Sequence, residues 1–500
     1  MKNLASSLEN KNADKKSSRP RKALALIAEY NPFHNGHLAQ LAELKQRFGD
    51  THLIIVILSS YFCQRGIPAV LAPRERAEIA VYYGADLVIK LPSIFSTSTA
   101  ERFAAAAVEL ISALPQIDSL AFGLEDPESL DALILAATVE HAAELGIEAS
   151  FAAAAELMGA EKSELIAAYE TPAKAYPQKL KSYLKSAKSY PEARVLALHE
   201  LLKDFNLAEK LKEPNQILAT EYIAKILSLK VNGGTAVRSS IQRLVASTRV
   251  GHSEHSSLAS RGELLSSVEQ ARSSVEPEAE TVWSAQAIRE LLALARSSEL
   301  AQVKALEGLL YQLPEKSLAA LLANPNWPLI DDLGEQYLWL LTRSSKQSLK
   351  EIRDWQGGLA ERALNLLKSP DLNNNARETA VLLAALTERA FPLTRVQRAL
   401  LSLYLNIQEA EFDTLAKSPA FLELLAFNKQ GKDYLRRSRK QFGLPLVSRF
   451  SELNRHSNPA LDYQAAIERR AACLYFKDHE KGHADLLEHA LYLSPSQLKA

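Results

Sequence analysis

The stretch ALALIAEYNPFHNGHL, residues 23–38, joins an apolar run to a turn and to the start of a helical pattern. Residues 23–28 are almost unbroken apolar, which is typical of a strand buried on both faces of a parallel sheet. Residues 36–48 carry leucines at the spacing of one helix face. A strand, a tight turn and a helix in this order bring backbone N–H groups and a positive helix end to one point. The stretch therefore favours a phosphate-binding turn.

Two histidines, His34 and His37, lie one helical turn apart at this predicted helix start. Their imidazoles can donate hydrogen bonds to phosphate oxygens and stabilise charge while an α-phosphate is attacked. Gly36 has no side chain to obstruct a nucleotide, and Asn31-Pro32 favours the turn. Alone, an H-x-G-H pattern also suits two ordinary surface or core histidines. Its position between a strand and a helix favours nucleotide binding.

The following segments alternate between strand and helix patterns. LIIVIL (53–58), ADLVIKLP (85–92) and SLAFGLE (119–125) predict further strands, and PRERAEIAVYYG (73–84) predicts a helix. Such alternation predicts a Rossmann-like α/β fold, with a parallel sheet and right-handed crossovers. Ligands of such sheets bind at the carboxyl ends of the strands, where residues 30–37 fall.

Composition divides the rest of the chain into regions of different character. We predict a basic disordered tail, an α/β domain that holds a helical insert and a mobile Ser-rich loop, and a mostly α-helical C-terminal domain. FGLPLVSRF predicts one short strand within the last of these. The tail covers residues 1–22 and the α/β domain residues 23–295, with the insert at about 126–211 and the loop at about 244–282. The C-terminal domain covers residues 296–500, and its short strand falls within 442–450.

Charge and cysteine content exclude several classes of protein. Lys+Arg and Asp+Glu both number 59, so a nucleic-acid partner would have to be held by local basic patches. Two cysteines are too few for a disulfide framework or a Cys-based zinc site, and we predict no protein-bound metal centre. No apolar run approaches the ~20 residues that span a bilayer, and no secretory signal pattern opens the chain. We therefore predict a cytoplasmic protein with no membrane partner.

The longer motif AEYNPFHNGH (28–37) resembles the signature of the HIGH-type nucleotidyltransferases and, among them, the bacterial tRNA(Met) cytidine acetate ligases. The likeness extends from residue 23 to about residue 475. Further matching segments are SSYFCQRGIPA (59–69), GADLVIKLP (84–92), FGLE (122–125), EPNQIL (213–218), IQR (241–243), SAQAIR (284–289), LTRVQRALLSLYLNI (393–407) and LAFNKQGKDYL (425–435).

The resemblance implies that the helical C-terminal domain, 296–500, binds tRNA, and it implies a specific reaction. ATP and acetate would form acetyl-adenylate with release of pyrophosphate, with Mg²⁺ expected beside the triphosphate. The acetyl group would then pass to N4 of the wobble cytidine of elongator tRNA(Met), giving N4-acetylcytidine without acetyl-CoA. The resemblance implies His34 and His37 as catalytic residues, and Gln64-Arg65-Gly66 as a loop near the acetate or the target base. It implies nucleotide contacts at Ile27, Ala28, Glu29, Tyr30, Asn31, Pro32, Phe33, His34, Asn35, Gly36, His37, Gly123, Asn215, Arg243 and Arg289.

Some of these residues also have ordinary structural interpretations. Asn215 follows a proline and suits a helix cap, Gly123 suits a turn, and Arg65 and Arg289 suit the surface. Cys63 is predicted to be a packed residue rather than a nucleophile.

Four positions depart from the family pattern. Lys90 stands where an acidic residue is usual, Ile67 replaces a glutamate, Tyr61 an asparagine, and Gln286 a threonine. Two alternatives therefore stay open: a nucleotidyltransferase that adenylylates a small metabolite, and a non-catalytic tRNA-binding relative.

Basic segments are the candidate contacts for tRNA phosphates. They are KLKSYLKSAK (179–188) and KQGKDYLRRSRK (429–440), together with Arg395 and Arg398. Each also suits a solvated helix face.

Overall fold

One twisted sheet organises the described part of the chain. The structure is a computed structural model that describes residues 22–159, 162, 168–186, 190–202, 211, 213–232, 240–248, 282–296, 308–368, 379–456 and 458–498. Within these ranges the strand order is β5-β4-β1-β2-β3-β6-β7, and β8 pairs with β6. The strands are β1 (Lys22–Ala28), β2 (His52–Ser59), β3 (Leu87–Leu91), β4 (Ile117–Leu124), β5 (Arg243–Thr248), β6 (Leu422–Phe427), β7 (Leu446–Val447) and β8 (Leu491–Tyr492).

Helices form most of the remaining described chain. Up to residue 295 they are α1 (Asn35–Phe48), α2 (Pro73–Tyr82), α3 (Ser93–Ser96), α4 (Ala100–Ser112), α5 (Leu130–Leu145), α6 (Ile147–Met158), α7 (Glu170–Lys185), α8 (Tyr190–Leu202), α9 (Pro214–Asn232) and α10 (Ala285–Ala295). Beyond it they are α11 (Glu315–Ala323), α12 (Gly334–Arg343), α13 (Lys346–Glu351), α14 (Leu359–Leu366), α15 (Thr379–Leu386), α16 (Leu393–Tyr404), α17 (Glu409–Leu415), α18 (Lys429–Ser438), α19 (Pro459–Phe476) and α20 (His479–Leu487). None of the described helices is long and apolar enough to cross a membrane.

The predicted α/β fold is confirmed. Strands β1 to β4 are mutually parallel where they pair, and all of β2 is buried. Alternate residues of β1 face opposite cores: Ala23 and Ala25 point to one, Leu24 and Leu26 to the other. This period of two explains why the strands read as unbroken apolar runs, since both faces are covered by helices.

Three strands were not predicted: β5, β6 and β8, of which β8 pairs with β6. β6 is a short apolar run in a region of helical patterns, and it pairs antiparallel with β3; such a run cannot be assigned from periodicity alone. β5 begins at Arg243, so the predicted mobile loop is wrong for residues 244–248. The predicted short strand within 442–450 is confirmed by β7.

Other sequence predictions fall outside the described residues. These include the tail, except Lys22, which opens β1, and residues 249–281 of the Ser-rich loop. The region after residue 295 is mostly helical, as predicted, but β6, β7 and β8 join the sheet of the N-terminal region. A domain boundary at residue 295 therefore stays a prediction, and the sheet continues past it.

The C-terminal region docks at the edge where β1 to β4 end, which we call the carboxyl edge. Arg353 is buried and donates hydrogen bonds to the carbonyl oxygens of Ile94 (2.9 Å) and Thr97 (3.0 Å), in the segment after β3. Gly66, after β2, has φ +75°, and a Cβ there would lie 2.7 Å from the backbone nitrogen of Arg398. Only glycine allows this close approach. The helical region thus lies over the edge where a ligand is expected.

Candidate active site

The turn between β1 and α1 holds the two histidines against the backbone. His34 is the N-cap of α1, and its Nδ1 accepts a hydrogen bond from the Gly36 N–H at 3.0 Å. The Nδ1 of His37 accepts from the His34 N–H at 3.3 Å, and the two rings stack with centroids 3.8 Å apart. A neutral imidazole that accepts at Nδ1 carries its proton on Nε2. Both rings are therefore set to donate from Nε2, which suits a phosphate oxygen.

Aromatic packing fixes the orientation of His37. The ring of Tyr30 meets it edge to face at 4.8 Å, and Phe33 lies 5.7 Å from it. Phe33 in turn stacks on Tyr83 at 5.5 Å. Tyr30 takes the left-handed backbone conformation (φ 49°) and is 1% exposed, and its hydroxyl has no hydrogen-bond partner among the described residues. Burial raises the pKa of this phenol, so it remains a neutral donor.

Asn31 ties the turn to the loop that follows β2. Its Oδ1 accepts from the Val70 N–H at 2.8 Å, and its Nδ2 lies 3.3 Å from both the Pro68 carbonyl oxygen and the Cys63 sulfur. Burial, reinforced by the nearby Glu29 carboxylate, raises the pKa of the Cys63 thiol to about 12. Cys63 is therefore a packed thiol, as predicted, and not a nucleophile.

Arg76 stabilises the same edge and was missed from the sequence. It is fully buried, and its guanidinium donates to the carbonyl oxygens of Glu29 (2.6 Å) and Leu71 (2.9 Å) and to that of Ser60. Glu29 also accepts from the Gln64 N–H at 2.6 Å. The signal in the sequence was an arginine on the buried face of the predicted helix PRERAEIAVYYG. Helical periodicity alone does not distinguish such a buried arginine from a solvated arginine.

Two arginines from distant segments meet beside the turn. Arg289, on α10, donates to the Asn31 carbonyl oxygen at 2.7 Å, and Arg65 donates to Gln286 at 2.8 Å. Burial lowers the pKa of the Arg289 guanidinium, and the Arg65 charge lowers it further. Gln286, which departs from the family pattern, therefore has a structural role: its amide oxygen accepts a hydrogen bond from Arg65 and holds that side chain near the turn.

Gly123 and Asn215 also reach the carboxyl edge. Gly123 is the penultimate residue of β4. Asn215, in the first turn of α9, donates to the Glu125 carboxylate at 2.6 Å, directly after β4. The structure therefore brings both residues to the edge that holds His34 and His37.

Arg243 is not brought to this edge. It is the exposed first residue of β5 and lies opposite Ser119, whereas Thr248 at the end of β5 lies opposite Leu124. Five residues of strand separate Arg243 from the carboxyl edge, or roughly 16 Å at about 3.3 Å per residue. The predicted nucleotide contact at Arg243 does not fit this register.

Lys90 is neutralised within the fold. It is 1% exposed, and its Nζ lies 2.7 Å from Glu423 on β6 and 2.9 Å from Glu468 on α19. Glu468 also accepts from the Ser93 N–H at 2.7 Å and from the Ser60 hydroxyl. The positive charge of Lys90 is therefore balanced by two carboxylates of the C-terminal region, and its side chain does not point into the nucleotide turn.

The predicted basic segments do not face the nucleotide turn as a group. Lys179 pairs with Glu200. The 429–440 segment begins at the opposite edge, because Asn428 donates to the Asp86 carboxylate (2.8 Å), just before β3. Arg398 lies against Gly66 at the carboxyl edge. Among the described residues, no group of three or more His, Cys, Asp or Glu side chains could hold a metal ion.

Comparisons with known proteins identify the class. The family model described as HIGH Nucleotidyl Transferase matches residues 21–156 and 136–485, so the chain belongs to this family. The chain is similar to the tRNA(Met) cytidine acetate ligase of Thermoanaerobacter sp. (strain X514), with 29% identity across 86% of this chain and 89% of that protein. It is 27% identical to the enzyme of that name from Clostridium acetobutylicum, across 86% and 90% of the two chains. The resemblance drawn from the motifs is confirmed.

A solved structure supports the same likeness. Thermotoga maritima TmcAL bound with alpha-thio ATP matches with a TM-score of 0.72 and 25% identity, covering 95% of this chain and all of that one.

Replacing Arg289 with alanine is expected to raise the KM for ATP about 10- to 100-fold, because charge-assisted hydrogen bonds contribute about 1.5–3 kcal/mol. Arg289→Lys should recover only part of the loss, since an ammonium keeps the charge but not the planar fork. The measurement is the ATP dependence of pyrophosphate exchange. Arg296→Ala, which removes an arginine at the end of the same helix that pairs with Asp332, is the matched control. Equal KM values in the Arg289 and Arg296 variants would contradict the assignment.

Proposed function

We propose that this chain is an ATP-dependent tRNA(Met) cytidine acetate ligase. It activates acetate as acetyl-adenylate and transfers the acetyl group to N4 of the wobble cytidine of elongator tRNA(Met). The observation that carries the proposal is the pair of histidines at the N-terminus of α1, both accepting backbone N–H groups at Nδ1. The family membership and the similar proteins support it.

In the first half-reaction an acetate oxygen attacks the α-phosphorus of ATP. The oxygen–phosphorus bond forms as the bond to the pyrophosphate leaving group breaks, giving acetyl-adenylate and pyrophosphate. His34, His37 and the first N–H groups of α1 would bind the phosphate oxygens as negative charge shifts to the leaving group. Arg289 and Arg65 add positive charge beside the turn. The protein mainly positions groups and neutralises charge.

In the second half-reaction the N4 amine of cytidine attacks the acetyl carbonyl carbon. The carbon–nitrogen bond forms, AMP leaves, and the amine loses one proton. Because an aromatic amine is a weak nucleophile, water must be kept from the mixed anhydride. The docked helical region, with Gly66 against Arg398 and Arg353 bonded to the segment after β3, suits this exclusion.

Mg²⁺ would accompany the triphosphate. Because the described residues offer no cluster of three or more ligating side chains, the ion would be held by phosphate oxygens and water, its usual ligands in nucleotide sites. When bound, it would screen the negative charge of the triphosphate. We propose no acetyl-CoA as a donor, since ATP and acetate supply the acetyl-adenylate.

The test is exchange of labelled pyrophosphate into ATP with Mg²⁺, with and without acetate and without RNA. Exchange that requires acetate supports the first half-reaction, and N4-acetylcytidine in elongator tRNA(Met) supports the second. Exchange driven by another small acceptor would favour a metabolite adenylyltransferase. A complete lack of exchange, with tRNA also present, would favour the non-catalytic relative.

A further inference from the structure

An open basic cleft of about 620 Å³ lies beside the first turn of α19. Its walls are residues 414–415 at the end of α17, residues 417–420 before β6, residues 444–445 before β7, and residues 455, 456, 458, 460 and 461. We propose that this basic cleft binds backbone phosphates of the tRNA substrate. The inference rests on the proposed function and specifies where the RNA is held outside the reacting site.

The charge of the cleft is unbalanced. Lys417, Arg455 and His456 line it, all three are exposed, and none of the lining residues that the structure describes is acidic. Within the described part of the chain none of the three side chains forms an ion pair. The acidic residues nearest in sequence have other surroundings: Asp413 faces Arg102 at 3.3 Å, the Glu452 carboxylate accepts from the Ser448 N–H at 2.9 Å, and Asp462 is exposed on α19. An uncompensated basic surface attracts a polyanion.

A helix end adds to this field. Asn458 caps α19, an 18-residue helix, and accepts from the Ala460 N–H at 2.9 Å. Asn458, Ala460 and Leu461 all line the cleft, so the positive end of the helix faces it. The basic side chains and the helix end together form the proposed phosphate site.

The loop wall is held in place before any ligand binds. Gln464 is fully buried, and its Nε2 donates to the carbonyl oxygens of Leu415 (3.0 Å) and Ser418 (2.9 Å). Its Oε1 accepts from the Ala420 N–H at 2.9 Å. Lys417 therefore projects from a fixed loop, which reduces the entropy lost on binding.

The cleft opens at the same edge of the sheet as the histidines. The loop leads into Leu422, the first residue of β6, which lies beyond Glu423 and its partner Lys90 at the end of β3. From β1 to β6 there are three strand spacings, roughly 14 Å in all. One tRNA can therefore place its wobble base at His37 and, at the same time, a phosphate a few nucleotides away in the cleft. The 429–440 segment starts at the opposite edge, where Asn428 donates to the Asp86 carboxylate.

The lining favours a nucleic-acid backbone over a free nucleotide. The cleft is open, and its described lining residues include no Phe, Tyr or Trp ring on which a base could stack. Phosphate contacts from Lys and Arg position a nucleic acid without reading its sequence. The cleft is thus suited to orient the tRNA, while base selection is left to the reacting site.

The experiment compares wild type with Lys417→Ala/Arg455→Ala. We expect the Kd for an elongator tRNA(Met) transcript to rise about 10-fold or more at low salt. We also expect the slope of log Kd against log[KCl], measured between about 50 and 200 mM, to fall by roughly 1.4–1.8, because each of the two lost phosphate contacts removes about 0.7–0.9. Acetate-dependent pyrophosphate exchange without RNA should be unchanged.

The matched control removes two basic side chains from the opposite edge. Lys22 pairs with Asp118 at 2.7 Å, and Arg47 pairs with Glu43 at 2.5 Å. Lys22→Ala/Arg47→Ala should keep the wild-type Kd and salt slope. A cleft variant with the same Kd and slope as this control would overturn the proposal for the cleft. Lack of exchange in the wild type would instead refute the proposed function, so the two failures are separable.

Discussion

His37→Ala is expected to reduce acetate-dependent pyrophosphate exchange by at least about 10²- to 10³-fold, with the fold intact. The reason is that the Nε2–H of His37 is a fixed donor, oriented by its Nδ1 contact with the His34 N–H (3.3 Å) and by the ring of Tyr30. Loss of one such donor to developing phosphate charge costs about 3–4 kcal/mol of transition-state stabilisation. The measurement is the exchange rate at saturating ATP and acetate, with thermal unfolding measured in parallel.

Two amide variants separate the structural role of this ring from its chemical role. His37→Asn can still accept the His34 N–H but has no donor at the position of Nε2, so it should be as inactive as alanine. His37→Gln places an amide near Nε2 and should retain more activity than asparagine. His141→Ala, at a partly exposed position on α5, is the control and should keep full exchange. Full exchange in His37→Ala would remove this ring from the mechanism.

Lys90→Met should lower the free energy of unfolding by about 3–5 kcal/mol, because it leaves two buried carboxylates without their cation. Glu423 and Glu468 are 2% and 0% exposed and both contact Lys90 within 2.9 Å. Burial and the neighbouring Glu468 raise the pKa of Glu423, while Lys90 opposes this rise. Denaturant unfolding near pH 8 measures the loss.

The sign of the pH dependence follows from that shift. Without Lys90 the pKa of Glu423 in the folded state rises further above its unfolded value, so the folded state binds the proton more tightly than the unfolded chain. The stability deficit of Lys90→Met should therefore be largest at high pH and shrink as the pH falls through the folded-state pKa of Glu423. A deficit that grows on acidification would contradict this account.

A second substitution tests the charge argument directly. Lys90→Met/Glu423→Gln removes one of the two unbalanced carboxylates and should recover part of the stability, since Glu468 keeps the Ser93 N–H and the Ser60 hydroxyl. Lys346→Met, at an exposed pair with Glu361, should change stability much less. A loss in Lys90→Met no larger than that in Lys346→Met would show that the cluster is not the stabilising feature proposed here.

The nucleotide turn could be predicted from the sequence because its determinants are local. One strand, one turn and one helix start within residues 22–48 place His34, Gly36 and His37 together, and the structure has these elements where they were predicted. Hydrophobic periodicity likewise predicted β2, β3 and β4, because each is covered on both faces. The packed state of Cys63 followed from residue type.

Residues placed by strand register and long-range pairing could not be predicted in this way. The segment IQR (241–243) does not indicate that Arg243 begins β5 at the edge away from the histidines. That position depends on the pairing of Arg243 with Ser119 on β4. The apolar run of β6 is compatible with a helix or a strand, and only its antiparallel pairing with β3 makes it a strand. The role of Gln286, a departure from the family pattern, could not be predicted either, because its amide oxygen accepts from Arg65, which is distant in sequence.

The sequence by itself determined the parallel α/β core, the phosphate-binding turn and its two histidines, because these depend on side-chain periodicity and on backbone groups a few residues apart. The tertiary structure decided what Lys90 does, which basic residues share an edge with the turn, and how Lys417 and Arg455 come to face one cleft. The physical reason is that burial and charge compensation depend on which distant segments pack together. That packing follows from the whole set of strand pairings and helix contacts, and no short stretch of sequence contains it.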